Sequence, residues 1–569
     1  MTKRFTSLAV SLAMLLTIVL TGCGAGANKK TEATSGAKSS EPLTLETYIM
    51  YGGTGDAVET NWMTSIYKDK LNIILKNTKL AGDNANQKMQ ALMASGSLPD
   101  IVGFNDVNFS NNAAAAGLVL PLDDNKSKLP NIFANPFYKN ALEFSKVKLS
   151  GGKNKIFILP TVIGTQDFIN YSPQLRWDLY QKLGSPKIAT LEDYLPVLKK
   201  MQDMNPVNDK GQKVYGVSIF GDWDSNNMAL ASFLIPLYGY DNEYVNPLVE
   251  TKVDGSEAPK SIFDDNSLYK RALKFYYKAN QMGILDPDSL TQKWDNVSEK
   301  YKAGRILFSP WDWASGSYNT IDHASADKPT GYDAVWADDF KLPISPDQTV
   351  GRSWSLAIGA STKNKDAALK FLDYFYSVDG QDMLQNGPKG LIWDDTNGER
   401  AITDTGWDYL DNNKDLPGGG KLADALGFIN APSITSSTIN SKTGKVLANS
   451  QLDSTKNHKL TKIRQSWSEA NGGAKTAIDA GKLSGKLIKS TQAVNMLPAL
   501  PDDLQNIMSQ VADVVKTNSW KMVYAKNDAQ FDALWKDMNT KVKGLGVDKI
   551  ITWAQTNYAT ALEEAKKYK

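Results

Sequence analysis

The chain is poor in the residues that build many kinds of active site. Among its 569 residues there are one cysteine and two histidines. A single cysteine excludes an intramolecular disulfide and a zinc site built from several cysteines. His323 and His458 are too few for a histidine-rich metal site. We therefore place no metal site and no cofactor in the chain.

One acidic run has a superficial likeness to a calcium loop. Residues 394–398 read Asp-Asp-Thr-Asn-Gly. If Gly398 is taken as the sixth position of such a loop, Trp393 falls at the first position, which requires a carboxylate. The calcium-loop pattern therefore fails, and Asn-Gly instead predicts a hairpin turn.

The chain also has no large excess of charge of either sign, because its 64 Lys and Arg residues nearly balance its 62 Asp and Glu residues. A nucleic-acid binder would need a concentrated basic face, so we exclude that class. The 41% hydrophobic content excludes global disorder, and the length predicts two domain-sized lobes. Aromatic residues are plentiful, with 14 Trp, 23 Tyr and 18 Phe.

The apolar run at the N-terminus, residues 8–20, is too short to span a membrane as a helix. It follows Lys3 and Arg4 and precedes small residues, which is typical of an export signal. The run ends in Leu-Thr-Gly-Cys23, which resembles the bacterial lipobox, whose cysteine is lipid-modified after cleavage. The alternative is an ordinary secretory signal with a chance cysteine. We therefore predict a leader at residues 1–22 and lipidation of Cys23.

The segment that follows the leader, residues 23–42, is small and polar and predicts a flexible tether. The acyl chains on Cys23 would then hold the protein at the outer face of the cytoplasmic membrane. Loss of the leader removes two of the 64 basic side chains and none of the 62 acidic ones. The mature chain is therefore formally neutral.

From residue 43 onward, the pattern alternates between strands and helices. Residues 43–50 and 101–104 have the pattern of strands, and apolar residues at helical spacing separate them. This order predicts a largely parallel sheet covered on both faces. Trp62 and Trp535 lie on apolar helical stripes, so we assign them to core packing.

Several segments together resemble the family 1 extracellular solute-binding proteins. They are residues 94–102 (ASGSLPDIV), 303–313 (AGRILFSPWDW), 354–358 (WSLAI) with 361–368 (STKNKDAA), and 544–549 (GLGVDK) with 553–555 (WAQ). No single segment is decisive, but their order and spacing are similar to the family's. The last segments resemble the large lipoprotein subgroup of sporeforming Gram-positive bacteria.

The resemblance implies an α/β, two-lobed fold of the periplasmic-binding-protein type II ("Venus flytrap") with discontinuous lobes. The implied lobes are residues 43–163 with about 350–385, and 164–349 with about 386–569. The implied function is that of a monomeric, non-catalytic protein. It captures an oligosaccharide and delivers it to the permease of an ABC importer.

A neutral sugar offers hydroxyls for hydrogen bonds and apolar faces for stacking, so its site needs flat aromatics beside Asp, Asn or Arg. Residues of these types follow predicted strands or stand in loops. The candidates are Tyr51, Phe104, Asn105, Asp106, Trp223, Asp224, Trp311, Asp312, Trp313, Arg352 and Trp354. Several of these candidates could have structural roles instead. Asn105 and Asp106 could cap a helix, Arg352 could form an inter-lobe ion pair, and the loop at Trp223 could pack onto its own lobe.

Two other functions stay open at this stage. An anchored glycoside hydrolase or polysaccharide lyase would need two carboxylates about 5–10 Å apart, and Asp222, Asp224 and Asp312 could serve. A surface adhesin or sensor subunit would hold a polysaccharide without transport. The sugar itself stays undetermined, with xylan, pectin, mannan and glycosaminoglycan oligomers, and at lower odds a peptide-like ligand, all compatible with the sequence.

Overall fold

The computed structural model describes most of the chain from residue 41 onward. The described residues are 41–50, 55–58, 60–79, 82–161, 163, 169–241, 245–344, 349–351, 354–396, 399–422, 446–458 and 460–568. The predictions for Cys23, Tyr51 and Arg352 lie outside these residues. Within them, no helix combines the length and the apolar character that a membrane crossing requires.

The strands are short. They are β1 Leu43–Ile49, β2 Gly55–Val58, β3 Ile73–Lys79, β4 Ile101–Phe104, β5 Leu159–Pro160, β6 Gln174–Arg176, β7 Tyr240–Asp241, β8 Val249–Lys252, β9 Lys260–Ser261, β10 Phe308–Ser309, β11 Tyr332–Ala334, β12 Leu342–Ile344, β13 Ser355–Ile358, β14 Trp393–Thr396, β15 Glu399–Ile402 and β16 Leu487–Lys489.

The helices range from one turn to 22 residues. They are α1 Trp62–Leu71, α2 Gly82–Ala94, α3 Val107–Ala115, α4 Pro130–Phe133, α5 Lys139–Lys148, α6 Trp177–Lys182, α7 Tyr194–Met204, α8 Ala229–Ser232, α9 Leu268–Gln281, α10 Trp294–Lys302, α11 Asp312–Ser315, α12 Ile321–Ala324, α13 Lys365–Phe375, α14 Val378–Asn386, α15 Asp404–Asp411, α16 Asp453–His458, α17 Lys462–Ala470, α18 Ala477–Ser484, α19 Asp502–Val523, α20 Asp528–Gly544 and α21 Val547–Ala565.

The largest sheet has the strand order β2-β3-β1-β4-β13-β5. Its centre is parallel, since β1 pairs with β3 and β4 in that sense and α1 and α2 carry the chain between them. The flanking pairs are antiparallel: β2 with β3, and β13 with both β4 and β5. The prediction of a largely parallel sheet is therefore wrong at the edges. Strand β13 joins the sheet from far along the chain in the opposite direction, which local periodicity does not reveal.

One hydrophobic core lies against this sheet. Leu45 and Ile358 of the sheet pack with Trp62 of α1 and Phe371 of α13. Trp393 at the start of β14 belongs to the same core. Trp62 is 1% exposed and its indole N–H donates to the carbonyl of residue 421 at 3.0 Å. Its predicted place in the core is confirmed.

A second, larger core is built by residues between 169 and 550 and includes Trp535, which is 3% exposed as predicted. A third buried cluster joins the sheet to other parts of the chain. In it, Tyr48 and Phe104 pack with Val249 of β8 and with Tyr558 of α21. The lobe boundaries implied by the resemblance stay a prediction.

Candidate ligand-binding site

The loop after Phe220 carries Trp223 and is held by Asp224. One carboxylate oxygen of Asp224 accepts the backbone N–H of Ala229 at the start of α8, at 2.9 Å. The other accepts the indole N–H of Trp520, at 2.6 Å. Burial raises the pKa of Asp224 to about 6, although both hydrogen bonds favour its charged form. Asp224 therefore acts as an anchor of the loop rather than as a group offered to solvent.

Four tryptophans come together at the end of this loop, and we call them the tryptophan cluster: Trp223, Trp294, Trp311 and Trp313. The rings of Trp223 and Trp313 stack with an interplanar angle of 27° and centroids 6.3 Å apart. Trp294 lies 5.1 Å from each of these two rings, and Trp311 lies 5.2 Å from Trp313. The sequence placed three of the four in loops, and the fold brings all four together.

The members of the tryptophan cluster differ in exposure. Trp313 is 49% exposed and Trp223 is 37% exposed, whereas Trp311 is only 4% exposed. Trp294 is half-buried. Trp311 therefore supports the cluster from beneath, and the faces available to a ligand belong to Trp313 and Trp223.

Sequence reasoning missed Trp294 as a candidate. It is the first residue of α10, and its backbone N–H donates to both carboxylate oxygens of Asp222, at 3.2 and 3.3 Å. The one available signal was Asp222, which precedes Trp223 in the loop. Nothing local indicates that α10 packs beside that loop.

A buried polar network fixes α10 in place. The ammonium of Lys300 donates to Asp286 at 2.6 Å, to Asp288 at 2.8 Å and to Gln292 at 2.7 Å. The hydroxyl of Ser218 donates to the same Asp286 at 2.7 Å. Because Lys300 and Ser218 belong to different segments, the network ties α10, and with it Trp294, to the segment that leads into the Trp223 loop.

A cavity of about 580 Å³ lies close to the Trp223 loop, although none of the four tryptophans lines it. Tyr171 lines it and stacks on Phe233 with centroids 5.6 Å apart, and Phe233 contacts Trp311 at 5.4 Å. Asn226, from the Trp223 loop, also lines it. On the other side the wall is formed by Asp106 and Asn108 at the start of α3, after sheet strand β4.

The three candidate residues at the end of β4 and just after it differ in burial and in hydrogen bonding. Phe104 is fully buried in the cluster around Tyr48. Asn105 is half-buried, and its side-chain oxygen has no hydrogen-bond partner among the described residues. Asp106 caps α3 by accepting the N–H groups of Asn108 at 2.7 Å and Phe109 at 3.3 Å, and it also lines the cavity. Capping and cavity lining are therefore combined in one residue.

Asp312 is an exposed residue beside Trp313. Desolvation by the surrounding protein nevertheless raises the pKa of its carboxyl group. Nearby, Asp333 is buried, which raises its pKa to about 7, and it pairs with Arg464 at 3.0 Å. Trp354 does not belong to the tryptophan cluster; it is half-buried against the core of the large sheet.

Chemically, the tryptophan cluster offers flat apolar faces, and the cavity offers amide, hydroxyl and carboxylate groups. This combination suits a ligand with apolar faces and many hydroxyls. Among the described residues, no three His, Cys, Asp or Glu side chains come together as metal ligands. Asp222 and Asp224 already accept protein N–H groups.

Comparison with known proteins identifies the family. Residues 69–382 match the model for "Bacterial extracellular solute-binding protein". The chain belongs to the bacterial extracellular solute-binding protein family. The family predicted from the sequence segments is confirmed.

Among curated relatives, an uncharacterized ABC transporter extracellular-binding protein of Pyrococcus horikoshii is 22% identical over 406 residues, covering 68% of this chain and 80% of the relative. Lipoprotein LipO of Bacillus subtilis is 24% identical over 369 residues, covering 62% and 64%. The fructooligosaccharide ABC transporter substrate-binding protein FusA of Streptococcus pneumoniae is 24% identical over 239 residues, covering 40% and 42%.

Solved structures agree on the fold. The alginate-binding protein AlgQ2 superposes with a TM-score of 0.61 at 17% identity, covering 92% of this chain and 99% of its own. FusA in complex with kestose gives 0.58 at 18% identity, covering 91% and 99%. The predicted α/β, two-lobed, type II binding-protein fold is confirmed.

Proposed function

We propose that this protein captures an oligosaccharide outside the cell and delivers it to an ABC importer. The observation that carries the proposal is the tryptophan cluster with the exposed faces of Trp313 and Trp223, in a fold that also holds a cavity of about 580 Å³ partly lined by the Trp223 loop. A relative and solved structures of this fold are named as binders of fructooligosaccharide, kestose and alginate, which supports a carbohydrate.

In the proposed complex, sugar rings stack on Trp313 and Trp223, and Asp312 accepts hydroxyl protons at the edge of the stack. The rest of the chain of sugars enters the cavity, where Asp106 and Asn108 offer hydrogen bonds. We expect a dissociation constant around ~1 μM, or roughly −8 kcal/mol, which is tight enough to scavenge and weak enough to release.

We further propose that two lobes close around the ligand by a hinge motion. The first lobe would take residues 43–163 and about 350–422, since Ile392 and Leu416 pack in the core of the large sheet. The second lobe would take 164–349 and most of the remaining C-terminal part. Closure would bring the wall at Asp106 toward the tryptophan cluster.

We also propose that the protein is a monomer, held at the outer face of the cytoplasmic membrane of a Gram-positive bacterium through a lipid on Cys23. The name of one relative, Lipoprotein LipO of Bacillus subtilis, supports this anchor. We propose no catalytic activity, because Asp222 and Asp224 are engaged by N–H groups of Trp294 and Trp520.

The test is ligand binding by the purified protein and by two matched variants. Trp313→Ala removes an exposed ring of the cluster, and Trp407→Ala removes a half-buried ring that stacks on His458 instead. Titration with the oligosaccharide found in a thermal-shift screen should show affinity lost by roughly 1–3 kcal/mol in Trp313→Ala only. Equal affinities of both variants would place the ligand elsewhere. Catalytic release of shorter sugars during incubation would overturn the binding-only function.

A further inference from the structure

We infer that the site discriminates by charge: it accepts uncharged oligosaccharides and rejects acidic ones such as uronic-acid oligomers. This inference rests on the proposed function and adds the substrate class. It depends on which charged groups stand at the cavity and at the tryptophan cluster.

The charged side chains that the structure describes at the cavity wall are acidic. Asp106 and Asp241 line it, and none of the described lining residues is Lys, Arg or His. Asp241 accepts the backbone N–H of Val245 at 3.1 Å, as Asp106 does for the first N–H groups of α3. Both carboxylates are therefore held in place at the wall and cannot turn away from an anionic ligand without losing these bonds.

The tryptophan cluster is bordered by carboxylates as well. Asp222, which is exposed, belongs to the Trp223 loop, and exposed Asp312 directly precedes Trp313. A sugar ring stacked on Trp313 and Trp223 would therefore have carboxylates in its surroundings, together with Lys293, which precedes Trp294. An acidic sugar there would place its carboxylate beside like charges.

Arg464 and Lys516 act electrostatically on Asp312 and Asp224, but both also pair with other carboxylates. Arg464 pairs with buried Asp333 at 3.0 Å, and Lys516 pairs with Asp513 at 3.5 Å. Lys252 stands 4.3 Å from the centre of the Tyr240 ring and donates to the carbonyl of Tyr238 at 3.2 Å. None of these three residues lines the cavity.

The consequence for binding at the cavity wall is repulsion, since no described lining residue offers a cation. Two like charges within several ångströms of each other in a partly desolvated site weaken binding by roughly tenfold or more. Hydroxyl groups, by contrast, donate well to carboxylates, so the same aspartates favour an uncharged sugar.

The experiment uses digests of plant cell-wall polysaccharides, separated by anion exchange into a neutral and an acidic pool, with a fructan digest as a further neutral pool and an alginate digest as a further acidic pool. Thermal-shift measurement on the purified protein follows all pools at equal sugar concentration. Stabilisation by a neutral pool, with none by any acidic pool, is the expected result. Equal or greater stabilisation by an acidic pool overturns the charge selection but retains oligosaccharide binding. No stabilisation by any pool overturns the proposed function itself.

A charge-neutralised variant tests the cause. Asp106→Asn with Asp241→Asn retains hydrogen-bonding side chains, and Asn also caps helices well. We expect acidic oligomers to gain at least threefold in affinity for this variant relative to the parent protein. The control is Asp532→Asn, an exposed residue of α20 outside the cavity wall. No gain over the control would overturn the assignment of selectivity to these two aspartates.

Discussion

Glu250 of β8 provides a sharp test of how burial acts in this structure. The residue is 3% exposed, and its carboxylate accepts the backbone N–H of Tyr269 in the first turn of α9 at 2.8 Å. Burial raises the pKa of Glu250 from 4.5 to about 7; Asp264 adds to the shift, while the helix N–H groups and Lys260 oppose it. We predict that Glu250→Gln makes the protein more stable at alkaline pH and flattens its pH dependence.

The magnitude follows from the linkage between proton binding and folding. The folded state holds the proton of Glu250 more tightly than the unfolded state, so deprotonation opposes folding. Its contribution to stability is therefore fully present below about pH 4.5 and is lost as the pH rises through about 7. Each pKa unit corresponds to about 1.4 kcal/mol, so the loss amounts to about 3 kcal/mol. Gln keeps the hydrogen-bond acceptor for Tyr269 and carries no charge.

The measurement is urea unfolding of the parent and of Glu250→Gln at pH 5 and pH 8. The variant should be more stable by about 3 kcal/mol at pH 8, and the difference should shrink toward pH 5. Asp224 and Asp333 have raised pKa values too, so a slope of the same sign should remain in both proteins. Glu469→Gln, an exposed glutamate of α17, should behave like the parent. Parallel pH profiles for parent and Glu250→Gln would refute the reasoning.

Three further predictions concern the elements that build the site, each checked by urea unfolding. Trp311→Ala should cost about 3–5 kcal/mol because Trp311 is 4% exposed, whereas Trp313→Ala, at 49% exposure, should change stability by less than about 1 kcal/mol; equal losses would contradict the assigned orientations. Lys300→Met should cost about 3–5 kcal/mol because it leaves the fully buried Asp286 without its cation, and an unchanged midpoint would contradict this. Asp106→Ala should cost about 0.5–2 kcal/mol by removing the cap of α3, while Asp106→Asn should retain it; a matching loss in both would point to another cause.

The elements that were predicted well have strong local periodicity. Residues 43–50 have the predicted alternation and form β1 as Leu43–Ile49. The predicted stripes with Trp62 and Trp535 form the buried faces of α1 and α20. The apolar run at residues 306–308 forms little strand, with only Phe308–Ser309 in a ladder and Ile306 in an isolated bridge to Tyr215. An apolar run indicates burial, but it does not indicate how many residues find a pairing partner.

The site was predicted in part. The Trp-Asp loops at Trp223 and at 311–313 pointed to the right region, because aromatic and acidic residues beside each other in loops are uncommon in a core. Trp294 was missed, since its place beside Trp223 depends on α10 being held by the Lys300 network. The sequence also could not tell which of Trp311 and Trp313 is exposed: Trp311 is the N-cap residue of α11 and is 4% exposed, whereas Trp313 lies in the first turn of that helix and is 49% exposed.

The sequence alone showed short-range features: a leader-like apolar run with a lipobox-like end, a nearly balanced charge, the family segments and the helical stripes. Those features depend on neighbours within one or two turns of chain, so they leave a pattern that can be read directly. The antiparallel entry of β13, the assembly of the four tryptophans and the presence of Asp106 and Asp241 at one cavity wall depend on contacts between residues tens to hundreds of positions apart. Such contacts are chosen by the packing free energy of the whole fold, and no local pattern records them.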